Sequence, residues 1–207
     1  VALRLLLLLV LQALGRLLLF LFGRFGLVVH RFPNVSLLDG WKLCPRCGNQ
    51  LTSAPGRVDC AACGFEFYAH SVVTASALPE DGHGRVLLAR RAIDPWRGTW
   101  DCIGGFVEEG EHPLDGLRRE VREETGVSFD AGRFLGVWMG AYGGRSTLNL
   151  FWAGALTGGE PIADDDISEL RWFAPGELPP PAELAFDPLV ANVLQAWRGY
   201  GSAGTSS

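Results

Sequence analysis

From His70 onward the apolar positions gather into short runs separated by turn chemistry. SVVTASAL (71–78) and RVLLARR (85–91) flank the turn segment PEDGHG, which predicts two strands joined by a tight connection. RFLGVWMGAY (133–142), STLNLFWAGAL (146–156) and ELRWF (169–173) read as three more strands. IDPWRGTWDCIGGF (93–106), rich in Trp and Gly, reads as a loop. Between these runs the period changes. Pro113 suits the first helical position and Gly126 the one just past the last, so an acidic helix is predicted between them, with Leu117 and Val121 on its buried side. A closing helix is expected from about Asp187 to Trp197, and residues 199–207 read as a flexible tail. Strands interleaved with two well-separated helices suggest an α/β fold, a mixed sheet with helices packed on its faces.

Residues 1–31 stand apart as a hydrophobic leader or membrane segment. Positions 5–23 hold fourteen Leu, Val and Phe around a single Arg16, so insertion is marginal, and membrane association through residues 1–29 stays open beside an upstream extension. No small-residue cleavage site of a signal peptide follows. A cytoplasmic location is therefore expected, with membrane association as the alternative.

Composition narrows the function classes. The chain carries 18 Lys and Arg against 23 Asp and Glu, and from residue 32 onward fourteen basic residues face all twenty-three acids. An acidic body lacks the basic face that a phosphate backbone requires, so no nucleic-acid partner is expected. Carboxylates remain free to hold a cation.

In residues 41–68, two Cys-x-x-Cys pairs, Cys44 with Cys47 and Cys60 with Cys63, are separated by twelve residues and each is followed by glycine. Four thiolates arriving as two turns match tetrahedral zinc, which can hold together a module too small for a core. Two disulfides are the competing reading, disfavoured without a secretory signal. The zinc would be structural, because four sulfurs leave no position for water. Cys102 reads as a small buried residue.

The chemistry concentrates in Gly105–Val127, GFVEEGEHPLDGLRREVREETGV. At about 100° per residue, Glu123 and Glu124 lie about 60° and 40° to either side of Glu120, so three carboxylates share one helix face. Like charges at that spacing destabilise a bare helix and call for a partner, for which a hard divalent cation is suited. A forked pair between Glu111 and Arg119 would fix the loop before the helix and aim the Gly104–Gly105 backbone at the same place.

Nine positions of this segment, Gly105, Glu111, Arg119, Glu120, Val121, Glu123, Glu124, Gly126 and Val127, fit the signature of the Nudix hydrolase family, which the region 69–198 resembles. The resemblance implies an α/β/α sandwich and Mg²⁺- or Mn²⁺-dependent cleavage of a diphosphate linkage in a nucleoside diphosphate joined to another group. It assigns Glu120, Glu123 and Glu124 to metal binding, with a backbone ligand at Gly104 or Gly105; which glutamate serves as base varies within the family, and Glu120 is the one favoured here. A zinc ribbon ahead of the hydrolase body is similar to the NADH pyrophosphatase branch, as are Glu169 three residues before Trp172 and the run Leu178-Pro179-Pro180-Pro181. In that branch an acid before the tryptophan adds a metal ligand, which makes Glu169 a candidate. The branch's Ser-Gln-Pro-Trp segment is absent, since the corresponding stretch reads GVWMGAYGGRSTLNLFW. NAD(H) cleavage and a non-catalytic nucleotide sensor are the alternatives to a general hydrolase, and a homodimer is plausible by analogy.

Softer candidates surround this set. Trp96, Trp100 and Phe106 lie near the expected entrance, where rings either stack on a base or pack in a core. Arg90, Arg91 and Arg97 either meet substrate phosphates or stay solvated.

Overall fold

A computed structural model describes residues 37–201, which lie within the compact unit Val35–Ser207. The leader at 1–31 falls outside the described residues, as does the tail from 202. Among the described residues no helix is long and apolar enough to cross a membrane.

The first small sheet holds β1 (Thr52–Ala54), β2 (Arg57–Asp59) and β3 (Glu66–Tyr68), antiparallel throughout. Its only fully buried strand position is Val58, so the four cysteines of this segment, and no apolar core, organise it. The body follows with β4 (Val72–Pro79), β5 (Val86–Arg91), β6 (Trp100–Asp101) and β7 (Ile103–Phe106), then α1 (Pro113–Thr125). Next come β8 (Ser128–Tyr142), β9 (Arg145–Thr157), β10 (Ile167–Phe173), a single 3₁₀ turn at Pro181–Glu183, and α2 (Leu189–Gly201).

One four-stranded sheet runs β7-β4-β9-β8 and a three-stranded one runs β10-β5-β6. β4 and β9 are parallel while the other pairs are antiparallel, which gives the mixed sheet the element pattern predicts. Strand alternation builds two cores from the same strands. Leu78, Val86 and Leu88 face α2, where Val190, Val193, Leu194 and Trp197 pack on them. Ala75, Ala77, Leu87 and Ala89 face α1 and meet Leu117 and Val121. With a helix over each face, the architecture is an α/β/α sandwich behind a small four-cysteine module.

Two readings are corrected. The supposed loop 93–106 contains β6 and β7, because Ile103–Phe106 pairs antiparallel with Thr74–Ala77, a partner 30 residues away that no local pattern reveals. The closing helix starts later than expected and continues to Gly201, taking residues 199–201 from the tail.

Candidate active site and metal centres

Helix α1 is placed by its ends. His112 Nδ1 accepts from the Leu114 amide at 3.3 Å, Pro113 occupies the first turn, and Gly126 closes the helix with φ 72°, donating to Arg122 O at 2.9 Å. Leu117 and Val121 are fully buried against the sheet, which turns Arg119, Glu120 and Glu124 toward β7.

Arg119 is the organising cation. Its Nε and Nη2 donate to the two Glu111 oxygens, both at 3.1 Å, forming the expected fork. Nη2 also reaches Phe106 O at 3.0 Å, while Nη1 donates to Glu120 Oε1 at 2.8 Å and Glu123 Oε2 at 3.1 Å. The Arg119 hydrogen bonds hold the Glu111 carboxyl below its usual range. Gly116, which costs helix stability, has a purpose here: a Cβ at that position would stand 2.7 Å from Glu111 Oε2.

The two glycines of β7 carry the other wall. The Gly104 amide donates to Glu124 Oε2 at 2.9 Å, and its φ of 142° suits only glycine. A Cβ on Gly104 would run into Ala75 O and lie 2.7 Å from Ser76 Cα; one on Gly105 would lie 2.6 Å from the Glu120 carboxylate. Gly104 thus lets β7 lie close against β4, and Gly105 leaves room for the Glu120 carboxylate of α1.

Glu120 and Glu124 open into a cavity of about 310 Å³ that Gly104, Gly105, Asp101, Asp165 and Asp166 also line. Burial pushes the Glu124 carboxyl well above its usual range against the Gly104 hydrogen bond, and nearby Glu120, Asp101 and Asp166 add to the rise. Glu120 is raised by burial too, against its bond from Arg119. Asp101 is raised by burial against its pairing with Arg91 at 3.2 Å. Among the described residues Arg91 is the only basic side chain lining the cavity. Five carboxylates of the described residues face it, so acidic groups outnumber the single guanidinium, and the one thiol in the lining, Cys102, is kept protonated by burial. That carboxylate set fits a hard divalent cation. Among the described residues, the four cysteines are the only such ligand group whose atoms all lie within 4.8 Å of one another. The carboxylates are instead spread around the wall, which leaves coordination positions for water or substrate oxygens, as Mg²⁺ prefers.

Not every candidate converges. Glu123 points outward to Arg119, with half of its side chain exposed, and does not line the cavity. Glu169 accepts from Arg90 Nη1 at 3.1 Å and is likewise absent from the lining. Trp100 is core, Trp96 is exposed outside the lining, and Arg97 pairs with Asp94 at the surface. Phe106 and Arg91 do line the cavity. Asp101, Asp165 and Asp166 were missed by the sequence reading. The triplet Asp164-Asp165-Asp166 was the available signal, but what brings it in is the chain after β9, where Asp164 N donates to Glu124 O and Ile162 N to Thr125 O, both at 3.0 Å.

The second centre is the cysteine module. Cys44 Sγ lies 3.6 Å from Cys63 Sγ and Cys47 Sγ lies 3.5 Å from Cys60 Sγ, close to the roughly 3.8 Å edge of a tetrahedron with 2.3 Å metal–sulfur bonds. Both turns share one geometry: Gly48 N donates to Cys44 O and Gly64 N to Cys60 O, each at 2.9 Å, with φ near 70° at both glycines. The Asn49 amide donates to Cys47 Sγ at 3.4 Å and favours a thiolate there, while burial and hydrogen bonds from the other three cysteines push Cys63 the other way, so the cluster shares its protons unevenly. The four sulfurs can hold a zinc ion.

Fold and cavity together define a sandwich whose helix presents carboxylates beside a glycine strand. A NUDIX domain profile matches residues 70–193, and the chain belongs to the Nudix hydrolase family. It is 31% identical over 152 residues to the NAD-capped RNA hydrolase NudC of Haemophilus influenzae strain PittEE, covering 70% of this chain and 57% of that relative. The chain thus spans a little over half the length of NudC. It is also 31% identical over 125 residues to an ADP-ribose pyrophosphatase of Methanocaldococcus jannaschii, covering 59% of this chain and 72% of the relative. A NUDIX hydrolase structure from Nitrosomonas europaea superposes with a TM-score of 0.67 at 26% identity, covering 80% of this chain and 95% of the other.

Proposed function

We propose that the chain is a Mg²⁺- or Mn²⁺-dependent hydrolase that cleaves the diphosphate linkage of a nucleoside diphosphate joined to another group. The observation that carries this is the meeting of Glu120 and Glu124 with the Gly104–Gly105 backbone in one cavity short of positive charge. Glu120, Glu124 and a backbone carbonyl of Gly104 or Gly105 would hold the divalent ion, with Asp101 or Asp166 better placed than Glu169 to add a further oxygen. Glu123 acts through Arg119. The cation supplies charge neutralisation at the diphosphate oxygens.

The chain's own residues do the rest. A water attacks phosphorus, its proton passes to the Glu120 carboxylate, and the bond to the leaving phosphate oxygen breaks, giving two phosphate monoesters. In the metal-free protein burial raises the Glu120 carboxyl, the direction that favours proton uptake. Arg119 holds that carboxylate and the Phe106 carbonyl in one frame, so the strand and helix keep their spacing through the reaction. The zinc ribbon at 41–68 is structural in this account.

A Mg²⁺-dependent hydrolysis panel of NADH, NAD⁺, ADP-ribose, dinucleoside polyphosphates and nucleoside triphosphates, with products identified, tests the assignment. Monoester pairs from the dinucleotides or ADP-ribose are expected; pyrophosphate release from triphosphates alone would overturn it. A second reading, NAD(H) or NAD-capped RNA cleavage, is favoured by the four-cysteine module ahead of the body together with the likeness to NudC. Release of NMN or NMNH plus AMP would support it. Release of NMN and 5′-monophosphate RNA from a NAD-capped transcript would also revise the expectation that nucleic acid is no partner.

A further inference from the structure

Strand β8 is an edge. Among the described residues it pairs only with β9, at the end of the order β7-β4-β9-β8, so no strand lies along its outer side. Natural sheets blunt such an edge with charge, proline or a bulge. Both irregularities of β8 come before Val137, between Ala131 and Arg133 and between Phe134 and Gly136, and the register from 137 to 142 is regular. Residues 134–142 read FLGVWMGAY, without a charge or a proline. The usual protection is missing where the edge is straightest.

The sheet face beside that edge is apolar as well. Phe134, Val137 and Met139 are 45%, 48% and 51% exposed. Directly across β9 from them stand Trp152, Leu150 and Leu148, and residues opposite one another in an antiparallel pair share a face. The core under α1 takes in Ala75, Ala77 and Phe129, with Trp152 packed at its margin. Phe134, Val137, Met139, Leu148 and Leu150 belong to neither core, so neither helix consumes their surface.

We infer that this edge and stripe are the surface on which a second copy of the chain docks, β8 against β8 about a twofold axis, joining two four-stranded sheets into one. That occupant follows from geometry, charge and length. Rotation about an axis perpendicular to the sheet brings the same row of N–H and C=O groups opposite itself, antiparallel, and keeps Val137 and Met139 of both copies on one face. The patch is neutral in a chain of formal net charge −5, so two copies meet away from their acids, and a partner recognised by charge finds nothing to match. At about 3.4 Å per residue, residues 134–142 run about 30 Å, the breadth of an interface that buries about 800 Å² on each partner. One strand edge with its flanking stripe stands at the lower end of that class, so micromolar association is expected. Neither Val137 nor Met139 lines the cavity, and the surface stands apart from the hydrolase chemistry.

The test is sedimentation equilibrium of the full chain over about 1–200 µM, the range a weak interface spans, comparing wild type with Val137→Lys and Met139→Lys. Wild type should rise from the monomer mass toward twice that mass and stop there, because a twofold contact closes. Each lysine variant would press an ammonium into the apolar stripe and should weaken the dimer by about tenfold or more, with an unchanged circular dichroism spectrum. Wild type that stays monomeric throughout would overturn the dimer, as would growth beyond two copies or an assembly that both variants retain. Hydrogen exchange on the wild type needs no folded variant. Amides between 137 and 142 should exchange more slowly at the highest concentration than at the lowest, and equal rates would overturn the pairing.

Discussion

Gly105 and Glu120 lie so close that a single added methyl group would collide: a Cβ on the glycine would stand 2.6 Å from the carboxylate carbon and Oε2. Its neighbour Gly104 faces backbone instead of a movable side chain, with φ at 142°. The two alanine substitutions should therefore behave differently. Gly105→Ala displaces Glu120, lowering turnover by about a hundredfold or more while leaving urea stability nearly unchanged. Gly104→Ala strains the backbone and costs about 1–3 kcal/mol of stability. Paired unfolding curves and turnover measurements check both.

Glu124 trades stability for chemistry. Burial raises its folded-state carboxyl above the unfolded value, so the metal-free protein is most stable below the ordinary carboxylate range and loses stability as pH rises toward the folded value. Glu124→Gln removes that slope. In EDTA near neutral pH the variant should melt about 2–4 °C higher than wild type, if roughly 1 kcal/mol is relieved in a chain this long. Mg²⁺ should raise the Tm of wild type and not of the variant. Scanning calorimetry with and without the ion provides the check.

Arg119 serves five acceptor contacts with one planar group. Lysine keeps the charge but cannot reproduce the fork. Arg119→Lys should lower turnover by about one to two orders of magnitude. Glu111 supplies a pH signature of the same network. Its folded carboxyl is depressed, so the stability it contributes is present above the ordinary carboxylate range and is lost as pH falls through the folded value. Glu111→Gln should flatten that acid limb in a pH series of denaturant midpoints.

The cysteine module should fail independently of the body. One zinc per chain is expected by elemental analysis, and Cys60→Ser should abolish it. Proteolysis should then cut within residues 41–68, while the sandwich from β4 onward, with its own two cores, stays resistant. Loss of the body together with the zinc would contradict an independent module.

What the sequence discloses follows from locality. The acidic face of α1, the Glu111–Arg119 fork and the paired cysteine turns are set by residues within one helix or two turns, so spacing alone exposes them. β7 escapes notice because four residues containing two glycines resemble a loop until β4 pairs with them. Asp101 and Asp166 escape because cross-strand pairing and the return of the chain after β9 carry them to the cavity. Glu123 shares the helix face as expected, and in the metal-free fold its side chain pairs with Arg119 instead of lining the cavity. Glu169 was placed by the motif around Trp172, and its pairing with Arg90 across β5 and β10 turns it elsewhere.

The most direct measurement is ADP-ribose turnover by wild type and Glu124→Gln, each in Mg²⁺ and in EDTA, with products separated chromatographically. The account predicts AMP and ribose 5-phosphate from the wild type only when Mg²⁺ is present, and a fall of at least about a thousandfold in the folded variant. Undiminished turnover by Glu124→Gln, or wild-type turnover that survives EDTA, would contradict it.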